Sequence, residues 1–258
     1  MTASTSPLAP ARPVVVITGA STGIGAALAL RLAASHSLVL VARRADALAE
    51  VAASLHPGAS AITIRADVTL RPQVDDVVET ALSHFGRLDV WVNNVGRGIT
   101  RPPSQLIDDD IDEMMRINVK SALYGMQAVL PHFRLIGRGH VVNVSSMLGR
   151  MPTVPYRSAY SAAKHFLNAL TANMRSEVQA THPDIQFSLV SPGVVRTEFG
   201  ANAVHGGPDS RSLPNSQSAE EVAEVIAQVI ADRRADVYTR AGMAQAVAGH
   251  FAGIGQDP

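Results

Sequence analysis

A chain of 258 residues with 22 basic and 22 acidic side chains is long enough for one large core and has no net charge to attract a polyanion. It is 47% hydrophobic and 17% charged, which excludes a disordered chain and leaves nucleic acid an unexpected partner. It has no cysteine, so disulfides, thiolate metal centres and cysteine nucleophiles are excluded as well.

The first dozen residues, 1–12, have no apolar stretch and read as a flexible Ser/Thr/Pro tail, not a signal peptide. Val14 to Ile17 is a β-branched run with no polar face, suited to a strand buried on both sides of a parallel sheet. Gly19, Gly23 and Gly25 follow, and an alanine- and leucine-rich helix begins after them. Strand, glycine turn and helix together point backbone N–H groups and a positive helix end at an anion. Leu38–Ala42 is a second buried strand, followed by Arg43, Arg44 and a helix that ends near Pro57-Gly58. Ala61–Arg65 is a third strand, closed by Asp67 and Val68. Thr69 then looks like a helix cap, with Val74, Val77, Val78 and Ala81 on one face. Leu88–Asn93 is the fourth strand, and Arg97 to Pro103 is a loop.

Asp108 to Leu135 is expected to be mostly helical, with Met114, Ile117, Ala122, Tyr124 and Val129 facing inward and Pro131 bending or ending the helix. Asp108, Asp109 and Asp110 are expected to form a solvated helix start that complements the dipole. Gly139–Val144 is the fifth strand, and Ser145 and Ser146 follow it in a loop. A long helix spans about Ser158 to Ala180, and Gln186–Val190 is the sixth strand. From Pro192-Gly193 a Gly/Pro/Ser-rich segment runs on, and its stretch at about 197–217 is a candidate substrate loop or lid. Ser218 with Glu221 makes a capping box for another helix, and Asp236–Thr239 is a short last strand. No apolar run is long enough to span a bilayer, since Arg31 interrupts the longest; no membrane association and a cytoplasmic location are expected. The nine histidines lack metal-ligand spacing, so no metal is expected.

Strands that alternate with helices imply right-handed crossovers. The expected fold is therefore α/β, a Rossmann-type doubly wound parallel sheet in a single domain over 13–258, in the order 3-2-1-4-5-6. Gly19, Arg43, Asp67, Asn93, Ser145 and Pro192 all fall at strand carboxyl ends, where such sheets bind ligands.

Tyr160 and Lys164 are four residues apart and share a helical face. A free phenol titrates near 10, and a nearby ammonium is expected to pull it down toward neutrality, where it can exchange a proton with an alkoxide. Taken alone, a Tyr-x-x-x-Lys pair is common on helix surfaces. Here it comes with other motifs, and the chain from about Val14 to Thr197 resembles the short-chain dehydrogenase/reductase family. Thr18-Gly19-Ala20-Ser21-Thr22-Gly23-Ile24-Gly25 matches that family's TGxxxGxG. Asn93-Asn94-Val95-Gly96 matches its NNAG with one replacement, and Tyr160 to Lys164 matches its YxxxK. Pro192-Gly193 followed by Thr197 matches its PG…T, and Asn118 sits where the family keeps a helix asparagine.

The resemblance implies a role for each of these residues. Tyr160 would be the general acid/base, Lys164 would lower its pKa and bind the nicotinamide ribose, and Asn118 would hold a kinked backbone and a water in a proton relay. Either Ser146 or Ser145 would stabilise the oxyanion; Ser146 is preferred, although its spacing to Tyr160 is one residue longer than is usual in the family. Gly19, Ser21, Thr22, Gly23, Ile24 and Gly25 would cradle the cofactor, with Asp67 and Val68 beside the adenine. Asn94, Gly96, Pro192, Gly193, Val195 and Thr197 would lie along the rest of it.

Proteins of this fold that prefer NAD place an acid at the end of the second strand. Here that place holds Ala42, with Arg43 and Arg44 next, and guanidinium suits a 2′-phosphate; NADP(H) is therefore expected over NAD(H). The expected activity is hydride transfer between NADP(H) and a small-molecule carbonyl or alcohol, by a homodimer or homotetramer built on the two long helices. A non-catalytic NADP(H)-binding sensor on the same fold is the alternative.

Overall fold

The apolar runs become the strands of one parallel sheet. In the computed structural model, which describes residues 12–254, these are β1 (Val14–Thr18), β2 (Ser37–Ala42), β3 (Ser60–Arg65), β4 (Val90–Asn93), β5 (Gly139–Val144), β6 (Ile185–Ser191) and β7 (Asp236–Tyr238). Their order is β3-β2-β1-β4-β5-β6-β7, the expected doubly wound order with β7 added at the edge. Val15 pairs with Leu38 on one side and Val90 on the other, so β1 lies in the middle with both faces covered. Apart from Arg12, the expected N-terminal tail lies outside the described residues.

Alternation along each strand divides the core into two layers. Val15, Ile17, Leu38 and Leu40 face a layer with α1 (Gly23–Leu32), α2 (Ala45–Ala53) and α7 (Ala219–Asp232), through Leu28, Leu32, Leu48, Val222 and Ile226. Val14, Val16, Val39 and Trp91 face α3 (Arg71–Phe85), α5 (Ser121–Ile136) and α6 (Ser158–Gln179), through Val74, Val77, Val129, Phe133 and Val178. Truncating a fully buried ring such as Phe133 to alanine costs about 3–5 kcal/mol. The tail that follows Gly242 forms α8 (Met243–Ala252), with Val247 turned inward.

Several local expectations are corrected. Leu70, not Thr69, is the residue before α3; the Thr69 hydroxyl instead donates to Asp67 at 2.8 Å. The fourth strand begins at Val90, not Leu88. The long helical stretch is in three parts: α4 (Asp108–Met115), a π-helical turn Arg116–Lys120, and α5. Pro131 does not end α5, which runs five residues on to Ile136 with Val129, Leu130 and Phe133 buried around it. Asp110 is not solvated. Its carboxylate is buried, accepts from Arg101 at 2.7 Å and lies 2.7 Å from His205 Nε2. The Ser218–Glu221 capping box is present at the start of α7.

Candidate active site

The sheet brings the glycine turn, the end of β4, the π-helical turn and the start of α6 together at the strand carboxyl ends. Gly19 and Gly23 have φ of 68° and 57°, the left-handed region that glycine enters without strain. A Cβ on Gly25 would stand 2.3 Å from the Gly19 carbonyl oxygen, so the turn can close onto α1 only with glycine there. Asn94 fixes the turn: its side-chain amide donates to the carbonyls of Thr18 at 3.1 Å and Gly19 at 3.3 Å. Thr197 packs against Gly23, where a Cβ would lie 3.1 Å from its methyl. Thr22, ahead of α1, makes no side-chain cap, and the first turn holds no acid. The leading N–H groups of α1 are therefore open to a pyrophosphate, and the residues present fit a dinucleotide. Ser21 and Ile24 are half-buried beside this turn.

Arg43 and Arg44 are exposed just after β2, and Arg44 Nη2 lies 3.5 Å from the Thr22 hydroxyl. No carboxylate replaces Ala42 at that strand end, which leaves two exposed guanidinium groups there. Asp67 is held by the Thr69 N–H and hydroxyl. Burial raises its pKa, but those hydrogen bonds and the charges of Arg43 and Arg116 outweigh that and leave the carboxyl below its usual range. Val68 is buried beside it.

Tyr160 and Lys164 occupy the inward face of α6, both almost fully buried. Lys164 Nζ donates to the Val144 carbonyl at 3.0 Å and lies 5.7 Å from the Tyr160 ring centre. Burial lowers the Lys164 pKa to about 8. The expected downward pull on Tyr160 is overturned: burial pushes the phenol up to about 12, against smaller opposing effects of the Ser146 hydroxyl and the charge of Arg157. Ser146 faces Tyr160 and also accepts from the Leu148 N–H at 3.1 Å. Ser145 turns the other way and donates to Asn168 at 2.5 Å, and Asn168 in turn donates to the Gly149 carbonyl at 2.6 Å.

Asn118 lies in the π-helical turn and is buried. Its side chain pairs with the Arg97 backbone, accepting from N–H at 3.1 Å and donating to C=O at 3.0 Å. Gly96 separates Asn118 from Lys164; a Cβ there would stand 3.1 Å from Asn118 Oδ1 and 3.5 Å from Lys164 Nζ. Pro192 accepts from the Met147 N–H, Gly193 is half-buried, and Val195 is buried and bridges Gln217.

Two features escape the sequence reading. Asn93 and Asn143 are register partners across β4 and β5 and bond at 2.8 Å, part of a buried polar ladder with Trp91 and Thr171. Arg157 is buried one helical turn ahead of Tyr160, and that spacing was the available signal. Among the described residues no group of acids and histidines could hold a metal, and no helix is long and apolar enough to cross a membrane.

The short chain dehydrogenase family model matches residues 13–206. An uncharacterized oxidoreductase of Staphylococcus epidermidis is 32% identical over 216 residues, covering 83% of this chain and 91% of its own. A hydroxynaphthalene reductase-like protein of Metarhizium anisopliae is 32% identical, covering 80% and 77%. Among solved structures, a short chain dehydrogenase/reductase from Burkholderia phymatum in complex with NAD superposes with a TM-score of 0.85 at 25% identity, covering 96% of this chain and 97% of that one. An alcohol dehydrogenase from Thermococcus sibiricus complexed with 5-hydroxy-NADP gives 0.77 at 28% identity, covering 90% and 97%.

Proposed function

The chain belongs to the short-chain dehydrogenase/reductase family of oxidoreductases, and from that premise we propose that it transfers hydride between NADP(H) and a carbonyl/alcohol pair through Ser146, Tyr160, Lys164 and Asn118. The observation that carries this reading is the buried Tyr160 phenol, whose titration the Ser146 hydroxyl influences, with the Lys164 ammonium 5.7 Å from its ring. A nucleotide sensor has no use for such a cluster. When bound, the nicotinamide nucleotide supplies or accepts the hydride. Its pyrophosphate would rest on the Gly19–Gly25 turn, its adenine beside Asp67 and Val68, and its 2′-phosphate near Arg43 and Arg44. Asn94, Gly96, Pro192, Gly193, Val195 and Thr197 would flank the nicotinamide half.

A phenol held at about 12 keeps its proton at neutral pH, so Tyr160 is ready to donate. As hydride reaches the carbonyl carbon, Tyr160 gives its proton to the oxygen and Ser146 hydrogen-bonds the developing oxyanion. Water replaces the proton, so one ketone, one NADPH and one proton yield one alcohol and one NADP⁺. The Lys164 ammonium opposes the negative charge left on the phenolate, and Asn118 fixes the Arg97 backbone beside Gly96. The same burial disfavours tyrosinate, so the free enzyme holds Tyr160 in the protonated form that the reductive step uses. Exposed Leu135 and Ile136 on α5 and Phe166 on α6 support a homodimer or homotetramer, and we place the enzyme in the cytoplasm.

The test is loss of NADPH absorbance against a panel of aldehydes, ketones and quinones, repeated with NADH. Tyr160→Phe is expected to bind NADPH and to lose about 10²–10⁴-fold in turnover. A phenylalanine variant as active as the parent would overturn the assignment.

A further inference from the structure

Arg157 is 8% exposed, and its guanidinium makes one hydrogen bond among the described residues, to the Ile99 carbonyl at 3.2 Å. An arginine has five N–H groups to satisfy, and a buried cation without an anion is costly. Nothing acidic is paired with it: the charges that act on it are the phenols of Tyr156 and Tyr160, and burial lowers its pKa. The Thr100 hydroxyl lies in the same wall, buried and with no partner. A Cβ on Gly207 would stand 2.7 Å from that hydroxyl and 3.0 Å from Arg157 Nη2, so the two polar groups converge beneath one exposed glycine. A Cβ on Gly98 would stand 2.4 Å from Arg157 Nη1 and 3.1 Å from the Phe199 ring. Phe199 in turn packs edge-on against Tyr160, ring centres 5.5 Å apart. The guanidinium thus sits between the loop after β4 and the 197–207 segment, next to the phenol and away from the glycine turn.

We infer that Arg157 and Thr100 form a subsite for a carboxylate on the substrate, so that this protein acts on oxo or hydroxy acids in preference to neutral carbonyl compounds. This rests on the hydride-transfer reading for the reaction, but not for the binding. A carboxylate matches the site in charge and shape: one anion for one guanidinium, two oxygens for its paired N–H groups, and a hydroxyl beside them. A phosphate dianion would bring a second charge that nothing nearby answers.

Two measurements test it. The first is kcat/KM with NADPH for 2-oxopentanoate, 3-oxobutanoate and 4-oxopentanoate against their methyl esters. The protein is expected to prefer at least one free acid, and R157Q is expected to lower that acid-to-ester ratio at least about 30-fold. R157K, which keeps the charge, recovers part of it, and T100V lowers it about fivefold. The second is calorimetric titration of the NADPH-saturated protein with butanoate, butanamide and methyl phosphate. Butanoate should bind the wild type more tightly than either other probe and at least about 10-fold more weakly to R157Q. Esters reduced as well as acids, with butanoate binding unaffected by R157Q or T100V, would overturn the subsite and leave the hydride chemistry standing. Tighter binding of methyl phosphate would overturn the choice of carboxylate. Butanoate binding that depends on Arg157, without reduction of any carbonyl compound, would keep the subsite and remove the reaction.

Discussion

Replacing Gly25 with alanine tests the cofactor cradle at its tightest point. The added Cβ would lie 2.3 Å from the Gly19 carbonyl oxygen, 2.7 Å from the Asn94 amide nitrogen and 2.9 Å from the Gly19 carbonyl carbon. Two of those atoms are backbone, and the third belongs to the side chain that holds the turn, so none can swing aside as a free rotamer would. The turn has to open by about 0.7 Å to restore even a 3.0 Å contact. Overpacking of this kind costs about 1–3 kcal/mol of stability, each kcal/mol lowering the melting temperature by about 2–4 °C in a chain of this length. Because the displaced carbonyl and amide shape the turn whose N–H groups would face the pyrophosphate, NADPH affinity should fall by about 100-fold, more than the stability loss alone accounts for. Calorimetric titration with NADPH alongside thermal melting separates the two effects. Gly249→Ala is the control: in exposed α8 with nothing within 4 Å, it should bind NADPH as the parent does and gain about 0.5–1 kcal/mol. If Gly25→Ala melts normally and binds NADPH with parental affinity, the turn does not carry the nucleotide and the cradle is elsewhere.

The two serines should separate in steady-state kinetics. Ser146→Ala is expected to lose about 10²–10³-fold in kcat, whereas Ser145→Ala, which breaks the bond to Asn168, should chiefly lower the melting temperature; equal losses in kcat would refute the assignment. Arg43→Ala should cut the NADPH-over-NADH ratio of kcat/KM about tenfold, the worth of about one charged hydrogen bond, and an unchanged ratio would remove Arg43 from the cofactor site. His140 should shape the acid limb of stability. Burial holds it neutral down to about 3, against 6.5 when free. Between those values the unfolded chain takes a proton that the folded chain refuses. The stability present above pH 6.5 is therefore lost as pH falls, by at most about 5 kcal/mol at pH 3. His140→Asn should move the acid-unfolding midpoint, followed by circular dichroism, to lower pH, and an unmoved midpoint would exclude the histidine as the cause.

The sheet was legible because each of its strands states itself locally. Strands covered on both faces read as unbroken apolar runs, and the right-handed crossover leaves few orders for six of them. What failed did so where a distant partner decides. Thr69 has the chemistry of a cap, but Asp67 and Arg116 claim its hydroxyl, the latter at 2.6 Å from 47 residues away. Asp108, Asp109 and Asp110 look alike in sequence, yet the third faces inward and meets Arg101 and His205. Pro131 is a helix breaker by local rules, and the packing of its neighbours outvotes it.

Within the proposed site, spacing put Tyr160 and Lys164 on one helical face but misjudged what their partnership does. From sequence, an ammonium four residues away pulls the phenol down. In the fold both groups are almost fully buried, and one low-dielectric surrounding acts on them with opposite signs: it favours the neutral phenol, raising Tyr160, and the neutral amine, lowering Lys164. Spacing cannot see this, because burial is a property of the whole packed face, of Met114, Val119 and Ala163 as much as of the pair. The geometry around the two serines supports the proposed choice of Ser146. Past the end of β5, successive side chains leave on opposite faces, so Ser145 and Ser146 cannot both meet Tyr160. Once Asn168, one turn beyond Lys164 on α6, is seen to accept from Ser145, the other face is left to Ser146. The Ser145–Asn168–Gly149 bracket then fixes the loop in which Ser146 sits.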